Sequence, residues 1–386
     1  MNQQISSYFC PTRIIMGNES YRRLSDFISE FGTSKVFMAV DAALLKTAFV
    51  NDIFEMLKAA DVDYSVFSEI EPDPSADSVE KALEISRALD AGLVLAVGGG
   101  STIDVAKAVA IVSTNGGRIH DYEGIEKFSI PPLPLIAIPT TAGTGSEVSG
   151  SCVITDTVRG LKMSIRHASL NPARIAILDP LALRTVPPSV ACHSGLDAFV
   201  HAFESFISRN ANPFTDAVNI EAIRLISSNL RQLVANPENN DAALSMLCGS
   251  ALAGMAFGQT GLGNVHCMAR FIGARYHLPH GLSNALCLPV VAKFNMIANP
   301  AKYAAVARAM GCNVEGLRTL DAARLAVEAI EDLCDDLGIP RHLESIGLKE
   351  EHIPELAELC YGAGYNKWNP RTTSVKDFVA LFKQAF

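Results

Sequence analysis

The segment AVGGGSTIDVAKAVA, residues 96–110, carries the pattern that decides the fold. An aliphatic run at 93–97 predicts a buried β-strand, and the residues after the glycines have the spacing of a helix. A strand, a tight turn and a helix in this order are typical of a strand–helix–strand unit in a parallel sheet. Three glycines form the turn: Gly98, Gly99 and Gly100.

The same alternation continues on both sides of this segment. Further elements are predicted: strands at 36–40, 61–67 and 135–138, and helices at 78–88 and 102–112. After the proline-rich stretch 179–188 the pattern is almost entirely helical. We therefore predict an N-terminal α/β domain with a mainly parallel sheet at 1–185, followed by an all-α domain at 186–386.

Composition excludes several classes of protein. The 386 residues are 49% hydrophobic and carry 32 Lys and Arg against 41 Asp and Glu, a net charge of -9 that argues against a nucleic-acid partner. The aliphatic runs are much shorter than the ~18 to 20 residues of a membrane span. Residues 1–15 lack the basic and apolar regions of a secretory signal. We expect a cytoplasmic protein with no membrane segment.

A second turn rich in glycine and threonine, IPTTAGTGSEVSG at 138–150, follows the next predicted strand. Glycines allow backbone amides to approach a phosphate, and a helix N-terminus favours an anion. The first turn alone is equally consistent with a simple connection. Two such turns at successive strand ends predict a shared ligand crevice.

The strand at 36–40 is followed by Asp41. A carboxylate here can accept hydrogen bonds from an adenosine ribose and would repel a 2′-phosphate. The alternative interpretation is a helix N-cap, which aspartate also favours.

A candidate metal site lies in the helical half. Asp197 and His201 are four positions apart, so on a helix they project from the same face. Two more histidines, His266 and His280, follow in GLGNVHCMARFIGARYHLPHG. One carboxylate and three imidazoles suit Fe²⁺ or Zn²⁺. The nearby His193 and His277 are better explained as hydrogen-bonded residues beside the ligands.

With these segments the chain resembles the iron-containing (group III) alcohol dehydrogenases. The resemblance implies the dehydroquinate synthase-like fold, with an N-terminal nucleotide domain, a helical metal domain, a cleft between them and usually a homodimer. The matching segments run in family order through most of the chain: GGGSTIDVAKAVA, IPTTAGTGSEVSGSCVITD, LDPLALRTVPP, GLDAFVHAFESFISRNANPFTD, GLGNVHCMARFIGARYHLPHG and Asn369-Pro370-Arg371.

The resemblance also implies the cofactors and the residues that hold them. Fe²⁺, with Zn²⁺ as the alternative, would be bound by the positions matching the family ligands: Asp197, His201, His266 and His280. NAD(H), favoured over NADP(H) by the acidic strand end, would contact Asp41, Gly98, Gly99, Gly100, Ser101, Asp104, Thr140, Thr141, Thr144 and Lys162.

Two departures from the family pattern bear on the substrate. Most members have a histidine four residues after the third ligand, where this chain has Arg270, whose planar fork suits an oxyanion. The alternative is that Arg270 pairs with a protein carboxylate or the cofactor pyrophosphate. Ser151 and Asn264 suggest a roomier, more polar pocket, and Phe257 and Lys367 are further candidate substrate residues.

The predicted reaction is hydride transfer between nicotinamide and the carbonyl carbon of a short-chain aldehyde, with the metal as Lewis acid. We hypothesise an anionic aldehyde of the sulfo- or phosphonoacetaldehyde type. A general short-chain alcohol dehydrogenase of the lactaldehyde or 1,3-propanediol type is the alternative. Two further alternatives are a dehydroquinate-synthase-like lyase that uses NAD transiently and an NAD-binding protein without catalysis.

Overall fold

The computed structural model describes residues 7–386 and contains two compact units. The α/β character predicted for the first half and the helical character predicted for the second are confirmed. The units divide between Pro187 and Pro188, close to the predicted boundary near residue 185. The α/β unit consists of Phe9–Pro187 and Pro237–Ala251, and the helical unit contains Pro188–Asn236 and Leu252–Phe386.

The segment Pro237–Ala251 departs from the predicted division, because it belongs to the α/β unit and not to the range 186–386. Asn240 is one residue of this segment that contacts the rest of the α/β unit. Its Oδ1 accepts from Arg184 Nε at 3.3 Å, and its Nδ2 donates to Asn18 Oδ1 at 3.3 Å. These contacts join residues far apart in the chain, so the local sequence pattern does not contain them.

The main sheet of the α/β unit has six strands, in the order β1-β9-β6-β4-β2-β3, and all neighbouring pairs are parallel. The central strand β4 is buried along its whole length, as expected where helices cover both faces of a sheet. The strands are β1 (Arg13–Met16), β2 (Lys35–Val40), β3 (Asp63–Phe67), β4 (Leu93–Gly98), β6 (Leu135–Pro139) and β9 (Ile175–Leu178).

A smaller sheet of three strands, in the order β5-β8-β7, completes the β-structure of the described residues. Its strands are β5 (Gly124–Ile125), β7 (Ser151–Asp156) and β8 (Leu161–Arg166). β7 and β8 form an antiparallel hairpin whose turn contains Gly160 at a φ of 63°. The first four helices are α1 (Leu24–Glu30), α2 (Ala48–Ala59), α3 (Ala76–Leu89) and α4 (Gly100–Asn115).

The strands and helices predicted in the first half are confirmed as β2, β3, β4, β6, α3 and α4. Strands β1 and β9 were not predicted. Each has only four residues. The two strands pair with each other although they are far apart in the sequence, with Arg13 opposite Ile175. Short strands without a nearby partner in the sequence leave little periodicity to detect.

The predicted helical pattern of the second half is also confirmed. Within the helical unit α5 packs against α6 and α9, and α8 packs against α9. The helices are α5 (Pro188–Ile207), α6 (Pro213–Ala235), α7 (Asn240–Thr260), α8 (Asn264–Tyr276), α9 (His280–Asn295), α10 (Pro300–Ala309), α11 (Thr319–Asp336), α12 (Ile353–Gly362) and α13 (Val375–Ala385).

Two helical segments are long and apolar enough, by length and composition alone, to cross a membrane: Asn240–Thr260 and His280–Ala298. In each of them 56% of the apolar window is buried inside the protein. Core helices have the same properties, and α9 is packed against α5 and α8. We interpret both segments as core helices.

Gly281, the second residue of α9, marks a close approach between α9 and α5. A Cβ at this position would stand 2.0 Å from the backbone oxygen of His193. Only a residue without a side chain fits between the two backbones. The contact therefore fixes the start of α9, where His280 lies, against α5.

We expect Gly281→Ala to destabilise the protein by about 1 to 3 kcal/mol or more, because the added methyl group forces the two helices apart. Urea unfolding measures the change. Gly258→Ala is the matched control, since a Cβ on this exposed glycine of α7 meets nothing within 4 Å. The control should gain roughly 0.5 to 1 kcal/mol of stability. Equal stability of Gly281→Ala and the parent would contradict the close approach.

Candidate metal centre and cofactor turns

Helix α5 supplies the first two residues of the candidate metal centre. Asp197 and His201 lie one turn apart on the same helix face. His266 of α8 joins them, and the ligand atoms of these three buried side chains all lie within 4.8 Å of one another. Asp197 Oδ1 is 3.6 Å from His266 Nε2. The rings of His201 and His266 are stacked, with centroids 4.7 Å apart. The fold thus brings together three of the four predicted ligands.

His280, the remaining predicted ligand, is the first residue of α9. Its Nε2 atom lies 3.7 Å from Asp197 Oδ1, and its ring centroid is 5.4 Å from that of His266. Its side chain is 53% exposed, whereas the other three are buried. His280 therefore borders the buried group on its accessible side.

Asn284 was not among the predicted residues, yet it lies at the centre of this group. From α9, one turn after His280, its Nδ2 donates to Asp197 Oδ1 at 2.7 Å. The same nitrogen is 3.2 Å from His266 Nε2 and 3.2 Å from His280 Nε2. Its own amide oxygen is buried without a hydrogen-bond partner. The i, i+4 spacing from His280 was the available sequence signal.

This convergence tests whether the residues fit a metal ion. An oxygen of Asp197 and the Nε2 atoms of His266 and His280 meet around one NH₂ group, and the same atoms can ligate a divalent cation. A buried carboxylate without a compensating positive charge is costly. The residues therefore fit iron or zinc, whose preferred ligands include imidazole nitrogen and carboxylate oxygen.

Glu204 is the second functional residue missed by the sequence reasoning. It lies on α5, three residues after His201, and is 2% exposed. His266 Nδ1 donates to Glu204 Oε2 at 2.8 Å, and the backbone N of Val265 donates to Oε1 at 2.7 Å. The carboxylate thus caps the first turn of α8 and fixes the ring tautomer that leaves His266 Nε2 as a ligand atom. The spacing 197, 201 and 204 along one helix was the available signal.

The electrostatics of the centre favour a positive charge. Burial alone would raise the pKa of Asp197, but His201, His280 and His266 outweigh burial and hold that pKa below its usual range. Burial alone would lower the pKa of His266, but the nearby Asp197 carboxylate and the hydrogen bond to Glu204 raise the pKa to about 9. A ring held between two carboxylates exchanges its proton for a metal ion when one binds.

In the α/β unit the two glycine-rich turns meet at the ends of neighbouring parallel strands. β4 pairs with β6, and Thr140 N donates to Gly98 O at 3.1 Å. Helix α4 starts directly after Gly98 and Gly99, so Ser101 lies in its first turn, where backbone amides have no partner within the helix. This arrangement is suited to an anionic group.

The same turns are in close contact through their threonines. A Cβ on Gly99 would stand 3.2 Å from Thr141 Oγ1, and one on Gly100 would stand 2.8 Å from Thr144 Cγ2. Neither glycine has a positive φ. Glycine is therefore needed here for the close approach of two turns and not for a left-handed backbone.

Asp41 follows β2 as predicted and caps the short 3₁₀-helix Ala42–Leu44. Its Oδ1 accepts from Ala43 N at 2.9 Å. The N-cap interpretation is thus observed. A cap uses one carboxylate oxygen, so the other can still accept from a ribose hydroxyl.

Two predicted cofactor contacts have partners within the protein. Asp104 Oδ2 accepts from Val153 N at 3.0 Å, and Asp104 Oδ1 is buried without a partner. This carboxylate points into the protein because β7 passes beside α4. The Lys162 ammonium lies 2.5 Å from Asp73 Oδ1 in an exposed ion pair.

The predicted substrate residue Asn264 is also placed differently. It is fully buried, and its Nδ2 donates to Thr373 Oγ1 at 2.7 Å. The C-terminal segment covers the side chain and leaves it no surface for a substrate. Sequence position alone could not show this, because the covering residue is far along the chain.

Two other substrate candidates lie beside the metal ligands. Phe257 of α7 stacks on His201, with ring centroids 4.4 Å apart. Arg270 is exposed on α8, one turn after His266. No ion pair within residues 7–386 includes Arg270, and its guanidinium carbon lies 5.9 Å from the ring centroid of Phe271. A protein carboxylate as its partner is therefore not observed in that range.

The remaining candidates have ordinary local roles. Lys367 is exposed, with Nζ 4.5 Å from the ring centroid of Trp368. Ser151 opens β7 and accepts from Lys107 Nζ through its backbone oxygen at 2.7 Å. His193 contacts α9 through its backbone, and burial lowers the pKa of its side chain. His277 ends α8 with a φ of 53°.

Comparison with known proteins gives one consistent result. Residues 11–180 match the model of iron-containing alcohol dehydrogenase, and residues 191–386 match that of the Fe-containing alcohol dehydrogenase family, C-terminal. A 1,3-propanediol dehydrogenase of Citrobacter freundii is 40% identical, with 100% of both chains covered. A sulfoacetaldehyde reductase of Bilophila wadsworthia (strain 3_1_6) is 35% identical, with 98% of both covered. A crystal structure of 1,3-propanediol oxidoreductase superposes with a TM-score of 0.95 at 39% identity, covering 99% of this chain and 100% of that one.

We predict that Glu204→Gln lowers metal affinity about 10- to 100-fold, because it keeps an acceptor for His266 Nδ1 but removes the charge. Titration of the metal against a chelator measures the dissociation constant without any turnover. Glu221→Gln is the control, since that carboxylate lies in an exposed pair with Arg224 on α6. Unchanged metal affinity in Glu204→Gln would refute the orienting role of Glu204.

Proposed function

The chain belongs to the iron-containing alcohol dehydrogenase family, and we propose that it interconverts short-chain aldehydes and alcohols with NAD(H) and a divalent metal held by Asp197, His201, His266 and His280. The single observation that carries the proposed ligand set is the grouping of three of these side chains within 4.8 Å, with His280 beside them. The partner is then a small-molecule aldehyde or alcohol.

When bound, the metal supplies a Lewis acid for the carbonyl oxygen, and the nicotinamide supplies or accepts the hydride. Asp197 stays ionised, because its imidazole neighbours keep its pKa low. Glu204 holds the proton on His266 Nδ1 and so keeps Nε2 available. Phe257 covers one face of the His201 ring and limits the access of water from that side.

We propose Fe²⁺ as the resident metal, with Zn²⁺ as the alternative that the same donor set can hold. NAD(H) is the proposed cofactor over NADP(H), because a 2′-phosphate next to the Asp41 carboxylate would place like charges together. The proposed nucleotide contacts are Asp41, Gly98, Gly99, Gly100, Ser101, Thr140, Thr141, Thr144 and Lys162.

A homodimer in the cytoplasm completes the proposal. The support for the dimer is the resemblance of the chain to a family whose members usually form dimers. Light scattering after size-exclusion chromatography tests the dimer, and cell fractionation tests the location. A monomer would contradict the proposed dimer, and a membrane-bound fraction would contradict the proposed location. Neither result would contradict the proposed reaction.

The lyase alternative has less support. A dehydroquinate-synthase-like reaction needs several lysines and arginines around a phosphate and carboxylates, and α5, which carries two proposed ligands, contains neither residue type. Turnover separates the alternatives. Net NADH consumption with an aldehyde supports the dehydrogenase, redox-neutral phosphate release supports the lyase, and neither supports a protein that only binds NAD.

A second, more specific candidate is the reduction of an anionic aldehyde such as sulfoacetaldehyde. Arg270 favours it, because an exposed guanidinium one turn from His266 has no ion-pair partner among residues 7–386. Its fork of N–H donors suits a sulfonate or phosphonate. The relative from Bilophila wadsworthia, named a sulfoacetaldehyde reductase, is consistent with this substrate class.

The first test is an NADH oxidation assay with propanal, using protein loaded anaerobically with Fe²⁺. We expect His266→Ala to lose both stoichiometric metal, by elemental analysis, and turnover. His342→Ala, at an exposed position outside the centre, should keep both. Full metal and a normal rate in His266→Ala would overturn the ligand set, and equal use of NADPH by the parent would overturn the role of Asp41.

The second test compares sulfoacetaldehyde with propanal. We expect Arg270→Ala to lower kcat/KM for the anionic aldehyde roughly tenfold to a hundredfold, the effect of a lost charged hydrogen bond, and to spare propanal. Arg275→Ala is the control, since it lies on the same helix but pairs with Glu355 at 2.8 Å. Equal losses on both substrates, or a parent that prefers propanal, would leave a general alcohol dehydrogenase.

A further inference from the structure

A buried lysine joins the segments that carry the two glycine-rich turns. Lys107 lies in the middle of α4 and is only 1% exposed. Its Nζ donates to Ser149 O at 2.8 Å and to Ser151 O at 2.7 Å. The helix that begins at the first turn thus holds the backbone that leaves the second turn.

Asp104 adds two more bonds between the same segments, one helical turn before Lys107. Its Oδ2 accepts from Val153 N at 3.0 Å, and its backbone oxygen accepts from the Cys152 thiol at 3.2 Å. We use the name turn clamp for Lys107 and Asp104 together with their partners at 149–153. The clamp lies inside the α/β unit, and neither Lys107 nor Asp104 is among the nucleotide contacts proposed above.

Burying the charged groups in and beside the clamp costs free energy. Burial lowers the pKa of Lys107, although Asp104 and Glu147 act in the opposite direction. Burial raises the pKa of Asp104 to about 6 and that of Glu147 to about 7, with Lys107 opposing both shifts. An apolar side chain at 107 would avoid the cost of burying an ammonium. A buried cation here therefore calls for a task beyond packing.

The close contact between the two glycine-rich turns indicates what the buried lysine does. A Cβ on Gly99 would stand 3.2 Å from Thr141 Oγ1, and one on Gly100 would stand 2.8 Å from Thr144 Cγ2, so both threonines pack directly on the first turn. A shift away from α4 would separate the amides of the first turn from the hydroxyls of the second. We propose that Lys107 is a positioning residue that holds Thr141 and Thr144 in register with Gly98–Ser101, so that one dinucleotide can bind both turns. This inference rests on the proposed cofactor site.

The test uses the metal-loaded protein and NADH as the probe. Lys107→Met keeps the length of the side chain but loses both donors, and we expect the dissociation constant of NADH, from fluorescence titration without aldehyde, to rise at least tenfold. The KM for NADH should rise in parallel, with a much smaller change in kcat. Phe27→Leu in the buried core of α1 is the control for general loss of stability. An equal rise in the control, or none in Lys107→Met, would overturn the inference.

Hydrogen–deuterium exchange of the unmodified protein gives a second test that needs no variant. We expect NADH to slow exchange in peptides covering 149–153 as well as in those covering 98–101 and 140–144. Protection of the two turns without protection of 149–153 would overturn the clamp. Failure of the parent to bind NADH at all would instead overturn the proposed cofactor, so the two failures are distinguishable.

Discussion

The buried charge of Asp197 is the constraint on which the helical unit depends. A carboxylate removed from water costs several kcal/mol unless positive groups surround it. Helices α5, α8 and α9 each bring a group to this charge: His201, His266 and Asn284. The site therefore exists only where the three helices pack correctly, and their packing in turn leaves a place for a cation. Gly281 contributes by letting α9 approach α5 closely enough for this contact.

Glu204 links the direction of a ligand to the start of a helix. The same carboxylate accepts from the His266 ring and from the first backbone amides of α8. A change in the position of α8 would thus change the orientation of the ring, and the reverse also holds. Such coupling explains how a metal site built from separate helices can keep a defined geometry before any metal binds.

The α/β unit positions its turns by different means. Its strands are parallel, so the turns after β4 and β6 emerge at the same edge of the sheet. Close packing of Thr141 and Thr144 on the glycines then sets the separation of the two turns. The hydrogen bonds from Lys107 hold the end of the second turn against α4. No strained backbone at the glycines of the first turn is involved. Both units thus use buried polar contacts, and the α/β unit adds the close packing of threonines on glycines.

Local patterns in the sequence determined the features that depend on near neighbours. The strand–turn–helix around Gly98, the helical second half and the i, i+4 pair Asp197 and His201 all follow from spacing within a few residues. His266 and His280 were proposed as further ligands from the residue types themselves, and the resemblance to a known family implied the same set. The contacts that define the roles of Glu204, Asn284 and Lys107 are visible in the tertiary structure, and so is the burial of Asn264. Each of these four depends on an element that is distant in the sequence, and no local periodicity records which distant groups a side chain will meet.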